Sequence, residues 1–413
     1  MSQCLHDARR QEHSCRANKA NRNLRSSVRA ACIAALLTVA ARPVFAGNGV
    51  KVFSDSAGDS ISLFGIIDVG LLYQSNSTPA NGANHGNIVR LAENGLRESE
   101  WGIKGSSGDL GIGGKTTAFF NLESHFDTTT GQLHGTGDVV SQPTPLFRRQ
   151  ANVGLTGNWG TLIAGRQYGP ALLAAVDTEP RAFKENFSNL YAWAYDTLAT
   201  NNASILPQNI NTNNDVGIFF SNAIQYRNTW GPVTVGVMHS FGGTNQGLKY
   251  NSADAVGVEY KGPVILSGSY QQMIDQVTGK TDLKQWSGGF AVPYKQFTFH
   301  TLFIQATDNY ASTGAAYAKI NSWGAGIDWQ WSKRNSATLA YYYNHDLLHS
   351  SDYSHDVVLS DDFHMTSWLT AYVDLAYANQ GSAATILTTI VADAYVQPGM
   401  NTTYVMTGLN FSF

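Results

Sequence analysis

Cysteine is confined to the start of this 413-residue chain, where Cys4, Cys15 and Cys32 are the only three. Beyond them the sequence offers no disulfide, no thiol nucleophile and no thiolate metal site. Long apolar runs are missing as well. After residue 46 none reaches about 18 residues, so no segment reads as a membrane-crossing helix. Positive charge is scarce in the same region. Eight of the 27 basic and two of the 30 acidic residues precede Gly47, which leaves 19 against 28 and a net charge of −9. A nucleic-acid binder would show a basic face, and this balance argues against one. Catalytic signatures are thin too. GGKT at 113–116 and GKT at 279–281 end like a phosphate loop, but Asp109 and Ile274 stand where the earlier glycine is required, and no helical pattern follows. There is no nucleophile elbow and no zinc-helix motif, and no cofactor is implied.

The first 46 residues are a different kind of sequence. Ser26 to Arg29 closes a basic stretch, Ala30 to Ala41 is an apolar run, and Val44-Phe45-Ala46 before Gly47 has the small-residue ending of a cleavage site. That order predicts a secretory signal peptide over residues 1–46, with an unusually long basic region. No shift of composition divides residues 47–413, which are expected to form one domain. Gly, Asn, Ser, Thr and Tyr are plentiful and charge is low. An exported chain of this kind is a soluble β protein or an outer-membrane barrel.

The period of the pattern favours the barrel. Ile61, Leu63, Gly65, Ile67, Val69, Leu71 and Tyr73 alternate with Ser62, Phe64, Ile66, Asp68, Gly70 and Leu72. At the other end Val405, Thr407, Leu409, Phe411 and Phe413 alternate with Tyr404, Met406, Gly408, Asn410 and Ser412. Period two places the first set of each pair on an apolar exterior and the second on a wet interior. Seven short turns, at 105–113, 157–160, 229–232, 261–263, 293–295, 332–335 and 364–367, alternate with eight longer connections, giving 16 strands. In hydrocarbon every backbone group has to be paired, so such a sheet must close. The expected fold is all-β, a 16-stranded antiparallel transmembrane barrel.

One connection is too long to be a plain loop. Residues 169–214 show no strand alternation, carry Pro170, Pro180 and Pro207, and hold an aromatic group of Tyr191, Trp193 and Tyr195. Loops beyond about 12–15 residues are usually functional or disordered, and this one has enough apolar residues to pack. It is expected to fold inside the barrel as a constriction. Its charges are Asp177, Glu179, Arg181, Lys184 and Glu185, while strand parity points Lys104, Lys115 and Glu123 inward from the wall.

LFGIIDVGLLYQSN (63–76), SEWGIKGSSGDLGIGGKTTAFFNLES (99–124), LFRRQANVGLTGNWGTLIAGRQYGP (146–170) and the terminal TGLNFSF (407–413) resemble Gram-negative trimeric porins of the betaproteobacterial type. The resemblance covers nearly all of residues 47–413 and is weakest in the long loop and in 350–380. It implies a homotrimer in outer-membrane lipid and lipopolysaccharide, passing ions and small hydrophilic solutes through an inward-folded third loop. It also implies that Arg148, Arg149 and Arg166 are pore arginines. Two departures matter: such porins usually carry arginine where this chain has Glu100, and another near Phe219. Losing them points to weak selectivity or a cation preference. Some of these charges could instead be ion pairs that pin the loop. His345, His349, His355 and His364 lie near Asp346, Asp352 and Asp356, but the strand map puts His364 at the opposite mouth, leaving an outer-loop cluster at most. The competing readings are a barrel enzyme, an adhesin or receptor working through its outer loops, or a substrate-specific channel. The girdle positions expected at strand ends include Tyr73, Trp101, Trp159, Trp230, Tyr294, Trp331 and Phe413.

Overall fold

A computed structural model describes residues 49–77, 86–133, 145–188, 211–215, 217–310, 312–382 and 399–413. The expected signal peptide lies outside these residues, as do Pro207 and the group Tyr191, Trp193 and Tyr195.

The chain begins with β1 (Val50–Ser54), β2 (Ser60–Ser77), β3 (Gly86–Ala92), β4 (Glu100–Ser106), β5 (Thr117–His125), β6 (Gln150–Gly157) and β7 (Gly160–Tyr168). A one-and-a-half-turn helix α1 (Pro170–Ala175), a 3-10 turn (Glu185–Phe187) and the short β8 (Asn214–Asp215) follow. Next come β9 (Phe219–Trp230), β10 (Val233–Ser240), β11 (Ala253–Lys261), β12 (Ile265–Ile274), β13 (Thr281–Tyr294) and β14 (Phe297–Asn309). The remaining strands are β15 (Ala316–Trp329), β16 (Asn335–Asp346), β17 (Tyr353–His364), β18 (Leu369–Gln380) and β19 (Asn401–Ser412). No described helix is long and apolar enough to cross a membrane, which has no bearing on strands.

Sixteen of these strands, β2, β4–β7 and β9–β19, form one closed antiparallel ring. β7 pairs with β9 directly, and β19 returns to β2 from Tyr404↔Gln74 to Ser412↔Ile66. Phe413 completes the seam by exchanging both backbone hydrogen bonds with Gly65, at 3.0 and 3.2 Å. Its ring fills the place a Cβ on residue 65 would need, 2.8 Å away, so glycine is required there for close approach. β1 uses the edge of β2 just beyond the seam, where Val50 faces Leu63. Closure satisfies the strand hydrogen bonds without leaving an edge.

Alternation holds along the wall. Leu71, Val405 and Leu409 are exposed on the outer face, whereas Leu72, Tyr404 and Met406 are buried on the inner one. The inner face is not uniformly wet as the pattern suggested. Phe64, Ile66 and Leu72 are buried there; chain that turns into the barrel covers Leu72, which shares an apolar cluster with Leu96 and Phe187. The short turns fall where expected, except that the β4–β5 connection runs from residue 107 to 116. Lys115 lies in that turn, exposed and at φ +52°. It therefore does not point inward from a strand as parity suggested, since β5 begins only at Thr117. At the short-turn rim Trp159, Trp230, Tyr294, Trp329, Trp331 and Trp368 are exposed on the outside, the placement of an interfacial aromatic girdle.

Candidate functional site

After β7 the chain leaves the wall and runs along its inner surface. Pro170 starts α1 at the position where its missing N–H costs nothing, and the Ala and Leu residues that follow favour a helix. α1 packs on β10 to β13. Ala171, Leu172 and Ala175 join Leu302, Ile304 and Ala306 of β14 in an apolar cluster. Glycines in the wall make room for this path. A Cβ at Gly257 would lie 1.9 Å from the Pro170 carbonyl oxygen, one at Gly289 2.6 Å from the Thr178 hydroxyl, and one at Gly326 2.8 Å from Pro180 Cβ. Both prolines thus rest against glycine wall positions.

Beyond α1 the loop is held by charge. Asp177 meets Lys261 of β11 at 2.5 Å. Thr178 shares a hydrogen bond with Ser267 of β12 at 2.6 Å. Glu179 folds back on its own turn: its carboxylate accepts the backbone N–H groups of Arg181 and Phe183, both at 2.7 Å, and the Tyr342 hydroxyl at 2.6 Å. That turn places Ala182 and Phe183 at φ +53°, which costs roughly 1–2 kcal/mol per residue without such support. Burial pushes the Glu179 carboxyl above the usual carboxylate range, against the pull of Tyr342 and the two amides. Arg181 reaches Asp374 of β18 at 3.0 Å and Ser360 of β17 at 2.7 Å. Lys184 reaches Asp362 of β17 at 2.6 Å. The described path ends against the opposite side of the ring, where the Asn186 backbone N–H donates to the Asn94 carbonyl at 3.0 Å. Glu185 begins the 3-10 turn, and its side chain is not among those described.

Two arginine clusters stand at the base of the loop. Arg148 holds Asp215 in a two-pronged pair at 3.0 Å for each bond, and Arg166 meets the same carboxylate at 2.5 Å. Arg166 is aimed by an irregularity in the β7–β9 ladder between Gly165 and Gln167. Burial opposes ionisation of Asp215, yet Arg148 and Arg166 hold its carboxyl below the usual range. Arg149 contacts three carboxylates: Glu123 at 2.5 Å, Glu100 at 2.7 Å, and Glu98. It also donates to the Tyr168 hydroxyl and lies over the Phe219 ring, 5.4 Å from its centre. Lys104 faces inward beside Phe64, 5.0 Å from its ring centre.

The residues expected to line an opening therefore divide. Glu179, Arg181, Arg148, Arg149, Glu100 and Glu123 are buried in ion pairs or hydrogen bonds, and the alternative of pairs that pin the loop describes Arg181 and Lys184. Asp215, Asp362, Asp374 and Tyr342 escaped the sequence reading. The only signal for the two wall aspartates was their parity in 350–380, the stretch where the resemblance is weakest. The four histidines do not form one cluster. His345 and His355 both stack on Tyr343 on the outer face, at 6.1 and 4.7 Å, whereas His349 pairs with Asp346 at 2.7 Å and His364 bonds Thr370 at the far rim.

The sequence profile of a family described as Gram-negative porins matches residues 31–383. An outer membrane porin protein of Bordetella pertussis is 35% identical over 123 residues, 27% of this chain and 29% of that protein. The chain therefore matches less than a third of that relative's length. The fold is similar to the anion-selective porin of Comamonas acidovorans, with a TM-score of 0.70 and 22% identity over 86% of this chain and 100% of the other. It is also similar to the trimer form of OmpT from Vibrio cholerae, with a TM-score of 0.55 and 10% identity over 86% and 99% of the two chains.

Proposed function

Because the chain belongs to the Gram-negative porin family, we propose that it is an outer-membrane channel through which ions and small hydrophilic solutes diffuse passively. The observation that carries this reading is the seating of residues 169–188 on the inner wall of a closed barrel, with Arg181 fixed to Asp374. A pore needs its narrowest point held still, and the fixed seating of this loop against the wall supports that role. In this reading the full stretch 169–214 is the constriction, and the arginine and carboxylate clusters supply fixed charge beside the path.

The family and the likeness to a trimeric barrel support a homotrimer in a bilayer of outer-membrane lipid and lipopolysaccharide. The exposed apolar face of β19 and β2, with Leu409, Phe411, Ile67 and Leu71, suits burial against another copy or against lipid. A channel needs no reactive side chain, so the ion pairs act by holding geometry and shaping the field. The test is conductance of the exported protein, extracted from outer membranes and inserted into a planar bilayer. Steady conductance without any substrate, in steps that group in threes, is the expected result. A folded, inserted barrel that passes no current would refute the channel.

A further inference from the structure

On the lipid side of β13, β14 and β15 the outward residues change character in order toward the long-loop end. Trp286, Phe303 and Trp323 come first, a run of rings with centres 4.9 and 4.3 Å apart. Above them Gln305 accepts the Trp286 Nε1–H at 3.2 Å and donates to Asn321 at 2.7 Å. The next row is cationic. Lys284 and Lys319 stand opposite Thr307 on either side, Lys284 exposed and Lys319 half-buried. Two strand spacings put their backbones about 10 Å apart, and their flexible four-carbon stems can close on one group between them.

The depth of this row fits the edge of a bilayer. Lys284 lies ten residues along its strand from Tyr294, and Lys319 ten residues from Trp329, both aromatics of the short-turn rim. At about 3.4 Å per residue and a tilt near 40°, that is about 26 Å along the barrel axis, against an apolar band of about 25 Å. The short turns of such barrels face the periplasm, so the lysines meet the outer leaflet at the level of its headgroups. β14 lies five strands from β19 around the ring, clear of the face offered to another copy.

Among the described residues neither ammonium has a hydrogen-bond or ion-pair partner. The carboxylates nearby are engaged elsewhere. Asp254, two strands from Lys284 in the same row, pairs with His239 at 2.8 Å and takes the Gln272 amide at 3.3 Å. Asp282 turns inward to accept the Asn211 N–H at 3.1 Å, and Asp308 is buried opposite the inner residues Leu283 and Ala318. Asp346 is also buried, accepting the Lys319 backbone N–H at 3.0 Å and pairing with His349. Lys280 adds a third cation above the row, where it donates to the Ser312 carbonyl at 2.6 Å.

We infer that Lys284 and Lys319 bind a phosphate of lipopolysaccharide, the phosphorylated glycolipid of the outer leaflet. The inference deepens the lipid partner proposed above and rests on the barrel standing in the outer membrane, not on its conducting. An ammonium pair over an amide row supplies charge-assisted hydrogen bonds to a phosphate oxygen, and the ring run beneath offers the acyl chains an apolar face.

The test is titration of the extracted protein with purified lipopolysaccharide, after detergent exchange has removed bound lipid and with EDTA present so that no divalent ion bridges phosphate to carboxylate. Lys284→Gln and Lys319→Gln are each expected to raise the apparent Kd about fivefold, the effect of one basic residue near an anionic lipid surface, and together at least about tenfold. Replacing both by arginine should keep the affinity, and Lys333→Gln, in the turn at the opposite rim, should leave it unchanged. Wild type alone gives a second measurement: lipopolysaccharide stripped of its phosphates should bind at least about tenfold more weakly than the intact lipid. A double variant with wild-type affinity, a wild type indifferent to the lipid's phosphates, or one that binds phosphatidylglycerol micelles as tightly as lipopolysaccharide overturns the inference. Absence of conductance in wild type falls on the channel reading instead and does not bear on this site.

Discussion

The guanidinium of Arg181 and the carboxylate of Asp374, 193 residues apart in the chain, meet at 3.0 Å with neither side chain reaching solvent. Removing one partner of such a pair leaves an uncompensated buried charge, at a cost of about 3–5 kcal/mol. The closed sheet does not depend on this contact, so the cost falls on the seating of the loop. Arg181→Met and Asp374→Asn are each expected to give flickering or enlarged single-channel conductance while the barrel keeps its heat-modifiable migration. The double variant Arg181→Met with Asp374→Leu removes both charges and should return a steadier channel than either single change. A steady, wild-type conductance in Arg181→Met would show that the pair does not hold the loop.

The wall glycines make a separate prediction about the same loop. Gly257→Ala would place a methyl group 1.9 Å from the Pro170 carbonyl oxygen, a backbone atom that cannot rotate away. Overpacking of this kind costs typically about 1–3 kcal/mol, and the side that moves is the loop, because the wall strand is paired on both edges. Conductance and solute size cut-off should change with the barrel intact. Gly288→Ala, whose nearest neighbouring atom would be 4.0 Å away, is the matched control and should leave both unchanged.

Much of the fold could be read from period and turn spacing, since each one-residue step in a strand exchanges the lipid side for the lumen side. Ile67 and Asp68, or Leu409 and Asn410, reveal the wall on their own. The inward segments were harder. Pro170 and the lack of alternation marked the long loop, but nothing local marked 93–99, because its fastening comes from Asp68, Tyr372 and Asn410 at the two ends of the chain. Parity carried over into the β4–β5 turn misplaced Lys115. Arg148, Arg149 and Arg166 were visible as basic residues, whereas their partner Asp215 lies in a strand too short to show a period and Glu98 in irregular chain where no spacing rule applies.

The chain terminus carries a third prediction. Phe413 pairs with Gly65 through both backbone groups, and its ring lies tilted against Phe411 at 6.2 Å between centres. Phe413→Ala keeps the hydrogen bonds but exposes apolar surface at the seam. A half-buried phenylalanine ring contributes about 1–2 kcal/mol. The loss should appear as a lower temperature for the heat-modifiable transition and as slower assembly into membranes, with unchanged conductance in the barrels that do form. An unchanged transition temperature would mean that β19 and β2 close without the ring.

Among the carboxylates that fasten the long loop, Asp215 at its base should be one that yields to acid late. Its carboxyl is held below the ordinary aspartate value of 3.8, with burial opposing and Arg148 and Arg166 supplying the pull. A carboxyl depressed in the folded state contributes stability that is fully present above its unfolded value. That stability is lost only as pH falls through the lower folded value. The part of the loop's seating that Asp215 supplies is therefore expected to persist from neutral pH down to about 4 and to be lost only below that. Asp215→Asn should behave at neutral pH as wild type does in strong acid, since it leaves Arg148 and Arg166 facing each other across a neutral amide. Carboxylates elsewhere also titrate, and comparing the two proteins isolates this one: acid below pH 4 should alter wild type and have little further effect on Asp215→Asn. If acid shifts both by the same amount, the pH response belongs to other groups and Asp215 does not hold the loop base.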